Sequence, residues 1–226
     1  TIAMTEFVHL RLHTQYSLVD GLVRIPALMK RCLELGMPVV AVTDLTNFYG
    51  LIKAYKAASN NGIKIVLGAD FWLDDPLDTG RSHSICLLAQ DEAGYKNLTL
   101  LISRAWREGQ QLGQARIKRE WIAEHADGLI ALSGGRLGPI GQSLLQGRMD
   151  EAADQLREWM AIFPDRFYLE LQRTGRQHEE DYLHAAVVLA SSCDCPVVAT
   201  NDVCFSRDDE FEAHEARVCI GEGRTL

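Results

Sequence analysis

The sequence predicts an α/β domain whose mostly parallel sheet is covered by helices on both faces. Three observations carry this expectation. Short, solidly apolar segments such as residues 39–43 and 63–67 read as strands buried on both sides. Amphipathic stretches with helical spacing separate them, so strand and helix alternate. No Gly-rich dinucleotide fingerprint or P-loop follows any strand, which favours a barrel over a doubly wound sheet. At 226 residues, 47% hydrophobic and 24% charged, the chain is long enough for one large globular domain.

Taken in order, the first strand runs through His9, Arg11 and His13, which alternate with Leu10 and Leu12 and so share one face. Residues 39–43 form the next strand, after Gly36 and Pro38. A helix over 47–59 is ended by Asn61-Gly62, and a strand over 63–67 is closed by Gly68-Ala69-Asp70. A strand at 84–89 leads into a helix over about 92–107, and a strand at 129–132 runs into Ser133-Gly134-Gly135. Ala152, Leu156, Trp159, Met160 and Phe163 mark one face of a helix over 149–163, stopped by Pro164. Strands at 167–171 and 197–200 flank a helix over roughly 179–191. A last helix starts at Ser206, where Ser206-Arg207-Asp208-Asp209 reads as a capping box. Thr1-Ile2-Ala3 ahead of Met4 reads as an appended stretch. Residues 1–6 are thus set apart from a domain over 7–205, with 206–226 as a terminal helix and link toward missing domains of a longer protein.

The net charge of −8 argues against a broad nucleic-acid-binding face, which needs clustered Lys and Arg. The Arg116-Ile117-Lys118-Arg119 run is short and reads as a solvated helix start. Trp72, Trp106, Trp121 and Trp159 fit core and interface roles, because no basic run flanks them. The six cysteines form no CxxC pair and read as reduced thiols. No apolar run approaches the roughly 20 residues needed to span a bilayer. With no signal-peptide pattern, a cytoplasmic location is expected.

Polar residues collect just after the strands: Arg11, His13 and Asp20 after the first, Asp44 and Leu45 after the second, Asp70 after the third. His83 leads the fourth, Gly134 and Gly135 follow the fifth, and Asn201-Asp202-Val203-Cys204 the last. In α/β barrels the loops at these ends converge on the active site. Imidazoles and carboxylates there suggest a site shaped for metal ions and phosphate oxygens.

The stretches Phe7-Val8-His9-Leu10 through Asp20-Gly21, Thr43-Asp44-Leu45-Thr46-Asn47, Gly68-Ala69-Asp70, Gly94-Tyr95-Lys96-Asn97-Leu98-Thr99-Leu100-Leu101, Leu132-Ser133-Gly134-Gly135 and Ala199-Thr200-Asn201-Asp202-Val203 resemble a known family. It is the PHP (polymerase and histidinol phosphatase) domain of bacterial replicative DNA polymerases, in its proteobacterial branch, and the resemblance covers residues 7–226. It implies a distorted seven-stranded α/β barrel and a place in a DNA-synthesising holoenzyme, whose nucleotidyl-transfer carboxylates lie in later domains. Active members resemble a three-metal phosphoesterase. By that resemblance His13, Asp20, His83 and Asp202 keep ligand positions, and Asp70 stands where Glu is usual. Arg11 and Leu45 replace His, Gly135 replaces Cys, and Cys204 replaces His.

Those replacements set the chemical expectation. Leu45 and Gly135 offer no lone pair, and the Arg11 guanidinium is always protonated and accepts nothing. A divalent cation beside Arg11 would be repelled by roughly several kcal/mol, whereas Asp20, Asp70 and Asp202 would welcome its charge. Arg11 is therefore expected to stand in for a metal, in a vestigial pocket of Arg11, His13, Asp20, Asp70, His83, Asp202 and Cys204. No catalytic residue, metal or cofactor is expected in this domain. The pocket is suited to phosphate or sulfate on Arg11, His13 and His83. The resemblance implies a structural module that docks the 3′–5′ proofreading exonuclease subunit within the holoenzyme, with DNA bound through later domains and no membrane contact. The alternative is an active phosphoesterase, either a 3′–5′ exonuclease or a pyrophosphatase, holding Zn, Mn or Fe. Its fallback ligands are His13, His83, Asp202 and Cys204. His9 is assigned to filling the barrel end and His214 to packing.

Overall fold

The computed structural model describes residues 7–75, 81–111 and 113–225. The chain divides into two compact units, Thr1–Gly68 with Asn201–Leu226, and Ala69–Thr200. Both are mixtures of helix and strand, in keeping with the expected α/β class.

In the first unit, α1 (Ile25–Glu34) was not among the expected elements, although its signals are present. Pro26 sits in the first turn, and Ile25, Leu28, Met29 and Cys32 are buried at helical spacing. Strand β1 (Val39–Val42) pairs in parallel with the start of β2 (Lys64–Asp74), Val39 opposite Lys64 and Val42 opposite Leu67. Helix α2 (Leu51–Asn60) starts later than expected, because Asn47 is spent on a loop. Its Nδ2 donates to the carbonyls of Tyr16 and Leu45, and its Oδ1 accepts from Tyr49 N. Leu12, Val23, Leu28, Met29, Cys32, Val40, Ala58 and Ile63 form the core of this unit. The expected first strand is reduced to isolated parallel bridges, Leu12 with Val203 and Thr14 with Val23.

In the second unit the strands follow the order β4-β5-β2-β3-β6-β7-β8. The members not yet placed are β3 (Ser82–Ala89), β4 (Gln110–Gln111), β5 (Gln114–Ile117), β6 (Leu129–Leu132), β7 (Phe167–Leu171) and β8 (Val197–Ala199). The β5–β2, β6–β7 and β7–β8 pairs are parallel, whereas β3–β6 and β4–β5 are antiparallel. The sheet is therefore more mixed than the apolar strands suggested, since solidly apolar segments serve a doubly covered strand in either direction. Gly68-Ala69-Asp70, expected as a closing turn, lies inside β2, which continues to Asp74.

Arg116 and Ile117 belong to β5 rather than to a solvated helix start. Arg116 is buried, with Nη1 3.7 Å from Asp74 Oδ1 and donating to the carbonyl of Arg81. Helix α3 (Glu92–Glu108) is capped by Asp91, whose carboxylate accepts from Gly94 N, and it packs on β3 and β5. Helix α4 (Arg119–Glu124) follows β5. Helices α5 (Pro139–Leu145), α6 (Met149–Ile162) and α7 (Glu179–Cys193) pack on one another, and Trp159 stacks between Phe163 and Phe167. None of the six cysteines is in a disulfide.

The chain's last element returns to the first unit. Helix α8 (Phe211–Glu222) follows a short 3₁₀ turn, Asp208–Glu210. Its cap differs from the expected box. The Glu210 carboxylate accepts from the backbone of Ser206 and Arg207, because the extra turn moves the reaching acid one residue on.

Candidate functional site

The first unit gathers five of the expected site residues. The bridge between Leu12 and Val203 lays the two ends of the unit side by side. His13 N donates to Val203 O at 2.8 Å, and Leu22 N to Cys204 O at 2.7 Å. Arg11 is 6% exposed, and its Nε lies 3.9 Å from Asp202 Oδ1. His13 is also buried, with Nδ1 2.8 Å from Asp20 Oδ2, and a ring nitrogen lies within 4.8 Å of the Cys204 sulfur. Burial pushes that thiol above its ordinary value, and His13 opposes the shift.

The turn bearing Asp20 is tied down from α8. His214 Nδ1 lies 2.9 Å from Asp20 O, and the Arg217 guanidinium donates to the carbonyls of Leu18 and Gln15. His214 therefore anchors the Asp20 turn as well as packing against Phe205. His9 is half-buried against Phe7, and desolvation lowers its pKa.

Beneath this cluster lies a carboxylate that the sequence marks only by its place after a strand. Asp44 is buried, and its two oxygens accept from Thr14 N at 2.6 Å and Thr14 Oγ1 at 2.8 Å. Burial raises its pKa and the Thr14 hydrogen bonds pull it back. Next to it, Leu45 takes part through its backbone, its N–H donating to Ser17 Oγ and its carbonyl accepting from Asn47 Nδ2.

The remaining expected residues lie in the second unit. Asp70 is buried within β2. His83 on β3 has Nε2 3.3 Å from Asp75 Oδ2. Gly135 opens a 3₁₀ turn at φ +58, where a Cβ would lie 3.1 Å from Gln172 Oε1. Behind that turn is a polar network that the sequence reading passed over. Glu170 is fully buried and accepts from Gly134 N, Gln172 Nε2 and Thr200 Oγ1, while its backbone N–H donates to Ser133 Oγ. Tyr182 donates to Glu170 O, and burial drives its phenol well above the ordinary value. An acid inside the otherwise apolar run 167–171 was the available signal.

The donor set can be tested against a metal centre. One ligand atom each from His13, Asp20 and Cys204 lie within 4.8 Å of one another, and Asp20 Oδ1 is buried without a hydrogen-bond partner among the described residues. Nitrogen, oxygen and sulfur donors at that spacing fit one zinc-like ion. In the same unit the side chains of Arg11 and Leu45 bring no lone pair.

The fold is that of PHP-like proteins. An amidohydrolase from Chromobacterium violaceum, with bound sulfate and no metal, superposes with a TM-score of 0.56 at 14% identity, covering 93% of this chain and 96% of its own. A two-domain protein from Bacteroides vulgatus containing a predicted PHP-like metal-dependent phosphoesterase gives a TM-score of 0.50 at 11% identity, over 87% of this chain and 51% of that one. The PHP domain family matches residues 9–174, and the chain belongs to that family. Its sequence is 57% identical over 221 residues to DNA polymerase III subunit alpha of Pseudomonas aeruginosa and 48% identical to that of Escherichia coli. The match covers 98% of this chain and 19% of each relative, so the chain spans about a fifth of their length.

Proposed function

We propose that the chain is the PHP domain of a bacterial replicative DNA polymerase alpha subunit, in the cytoplasm. It serves there as a structural module and as a docking site for the proofreading exonuclease subunit. Its ancestral metal centre is degenerate. The observation that carries the reading is Arg11, buried with its guanidinium beside Asp202, in the same unit as His13, Asp20 and Cys204. A fixed cation there supplies the charge that a carboxylate pocket demands, and it repels a divalent ion by roughly several kcal/mol. Two-metal phosphoester hydrolysis needs one ion to make hydroxide and another to clamp the leaving oxygen, and these residues hold at most one. The same Arg11 and His13 suit a phosphate or sulfate ion, by charge-assisted hydrogen bonds.

Two measurements test this reading. Purified protein analysed for zinc, manganese and iron is expected to carry well under one equivalent of each, with no chelator-sensitive phosphoesterase activity. Titration with the exonuclease subunit is expected to show a saturable complex. Stoichiometric metal together with chelator-sensitive hydrolysis would reverse the assignment. The second reading, a mononuclear metal site, is favoured only by the His13, Asp20 and Cys204 trio. When bound, an ion there would act as a Lewis acid. Metal present without hydrolysis would select this second reading.

A further inference from the structure

We infer that the outer face of α2 is the surface on which this domain receives its protein partner, and that the partner segment sets acidic side chains among bulky apolar ones. The inference rests on the docking reading above and adds where the contact lies. Helix α2 turns Leu51, Ala54 and Ala58 inward. Outward it shows Ile52 and Tyr55, three residues apart on the helix surface, and Tyr49 stands just before its first turn. All three are 61% exposed. Single exposed apolar residues are ordinary, whereas large ones grouped on one short helix form a patch of the kind that marks interaction sites.

The backbone that leads into the patch is held by the loop before α2. Asn47 accepts from Tyr49 N and donates to the carbonyls of Tyr16 and Leu45. The Tyr16 ring lies so close to Gly50 that a Cβ there would sit 2.6 Å from Tyr16 Cδ2. Tyrosine is over-represented among residues that dominate binding energy.

Charge narrows the choice of partner. The chain as a whole carries −8, yet residues 45–69 contain no Asp or Glu and do contain Lys53, Lys56 and Lys64. Lys56 and Lys64 are exposed, and Lys53 donates to Tyr16 Oη at 2.5 Å. A basic window beside an apolar patch in an acidic protein attracts an acidic segment, raises its association rate and turns away basic ones.

The experiment is a titration of fluorescently labelled exonuclease subunit with the chain and three variants, at low and at physiological salt. The double variant Ile52→Asp with Tyr55→Asp is expected to weaken binding at least tenfold while leaving the thermal unfolding midpoint unchanged, since both side chains are exposed. Lys56→Glu should slow association and flatten its salt dependence. Val188→Asp, at a position 62% exposed on α7 of the other unit, should bind as the parent does. Equal binding by the parent and the double variant, or equal loss in Val188→Asp, overturns the α2 surface and leaves the docking reading standing. Failure of the parent chain to bind removes the docking reading and the surface with it.

Discussion

Asp44 shows how one buried carboxylate fixes a turn and leaves a pH signature. Burial raises its pKa above the ordinary 3.8, so the folded state holds this proton more tightly than the unfolded chain. The stability it contributes is full below about 3.8 and is lost as pH rises through the folded value. Burial disfavours the ionised group, and the two Thr14 hydrogen bonds offset that penalty in part. Thr14→Val removes the hydroxyl donor at nearly constant volume. It is expected to cost about 1.5–3 kcal/mol at pH 7, the range for a hydrogen bond to a charged group. The penalty should shrink on acidification, because the neutral acid needs that donor less. Urea unfolding of both proteins across the acid range measures the difference, and a penalty independent of pH would show that Asp44 does not titrate as described. Sequence marks Asp44 only as a polar residue after a strand. Its partner Thr14 lies 30 positions away, and no local pattern encodes that contact.

At the level of elements, the close approaches of backbone decide where side chains are tolerated. Gly94 sits in the first turn of α3, where alanine would ordinarily gain about 1 kcal/mol of helix propensity. Here a Cβ would lie 1.9 Å from Gly128 O. Gly94→Ala is therefore expected to destabilise by about 1–3 kcal/mol, as overpacking does. A thermal or urea midpoint at or above that of the parent protein would contradict the packing. The apolar runs made most strands and the long helices α3, α6 and α7 legible, because burial imposes a period on the sequence. Three kinds of feature were not legible. Strand direction in β3–β6 depends on chain routing rather than on side chains. The loop at 47–50 depends on Asn47 choosing backbone partners over the helix. The length of β2 depends on Asp70 and Asp74 being accepted inside a strand, Asp74 beside Arg116. For the site, the reading of Arg11, Leu45 and Gly135 as replaced ligands rests on the family resemblance, whereas their lack of a side-chain lone pair follows from residue type alone. The trio of His13, Asp20 and Cys204, and the clamp of α8 on the Asp20 turn, needed contacts spanning nearly the whole chain.

For the whole molecule, charge sets what the domain meets in solution. Acidic residues outnumber basic ones, 31 to 23, and many of the basic ones are already paired. Arg104 reaches Glu108 and Glu124, Arg119 reaches Glu158, Arg148 reaches Glu151, and Arg173 holds Glu180 with two donors. Lys118 and Arg119 lie over the rings of Trp121 and Trp159, and Trp121 and Trp159 are themselves buried, so these aromatics offer no free stacking platform. Affinity for nucleic acid grows with the number of phosphates neutralised, and each such contact adds roughly 0.7 to 0.9 to the slope of log affinity against log salt. A surface with its guanidinium groups paired and a net negative field has few contacts to give. No helix among the described residues is long and apolar enough to cross a membrane. In gel-shift or anisotropy titrations the chain alone is therefore expected to leave single-stranded and duplex DNA essentially unbound at low micromolar concentration and physiological salt. Retardation under those conditions, with a salt slope of several units, would mean that a basic groove forms in spite of the pairing. The domain would then be a direct DNA contact rather than a protein-docking module.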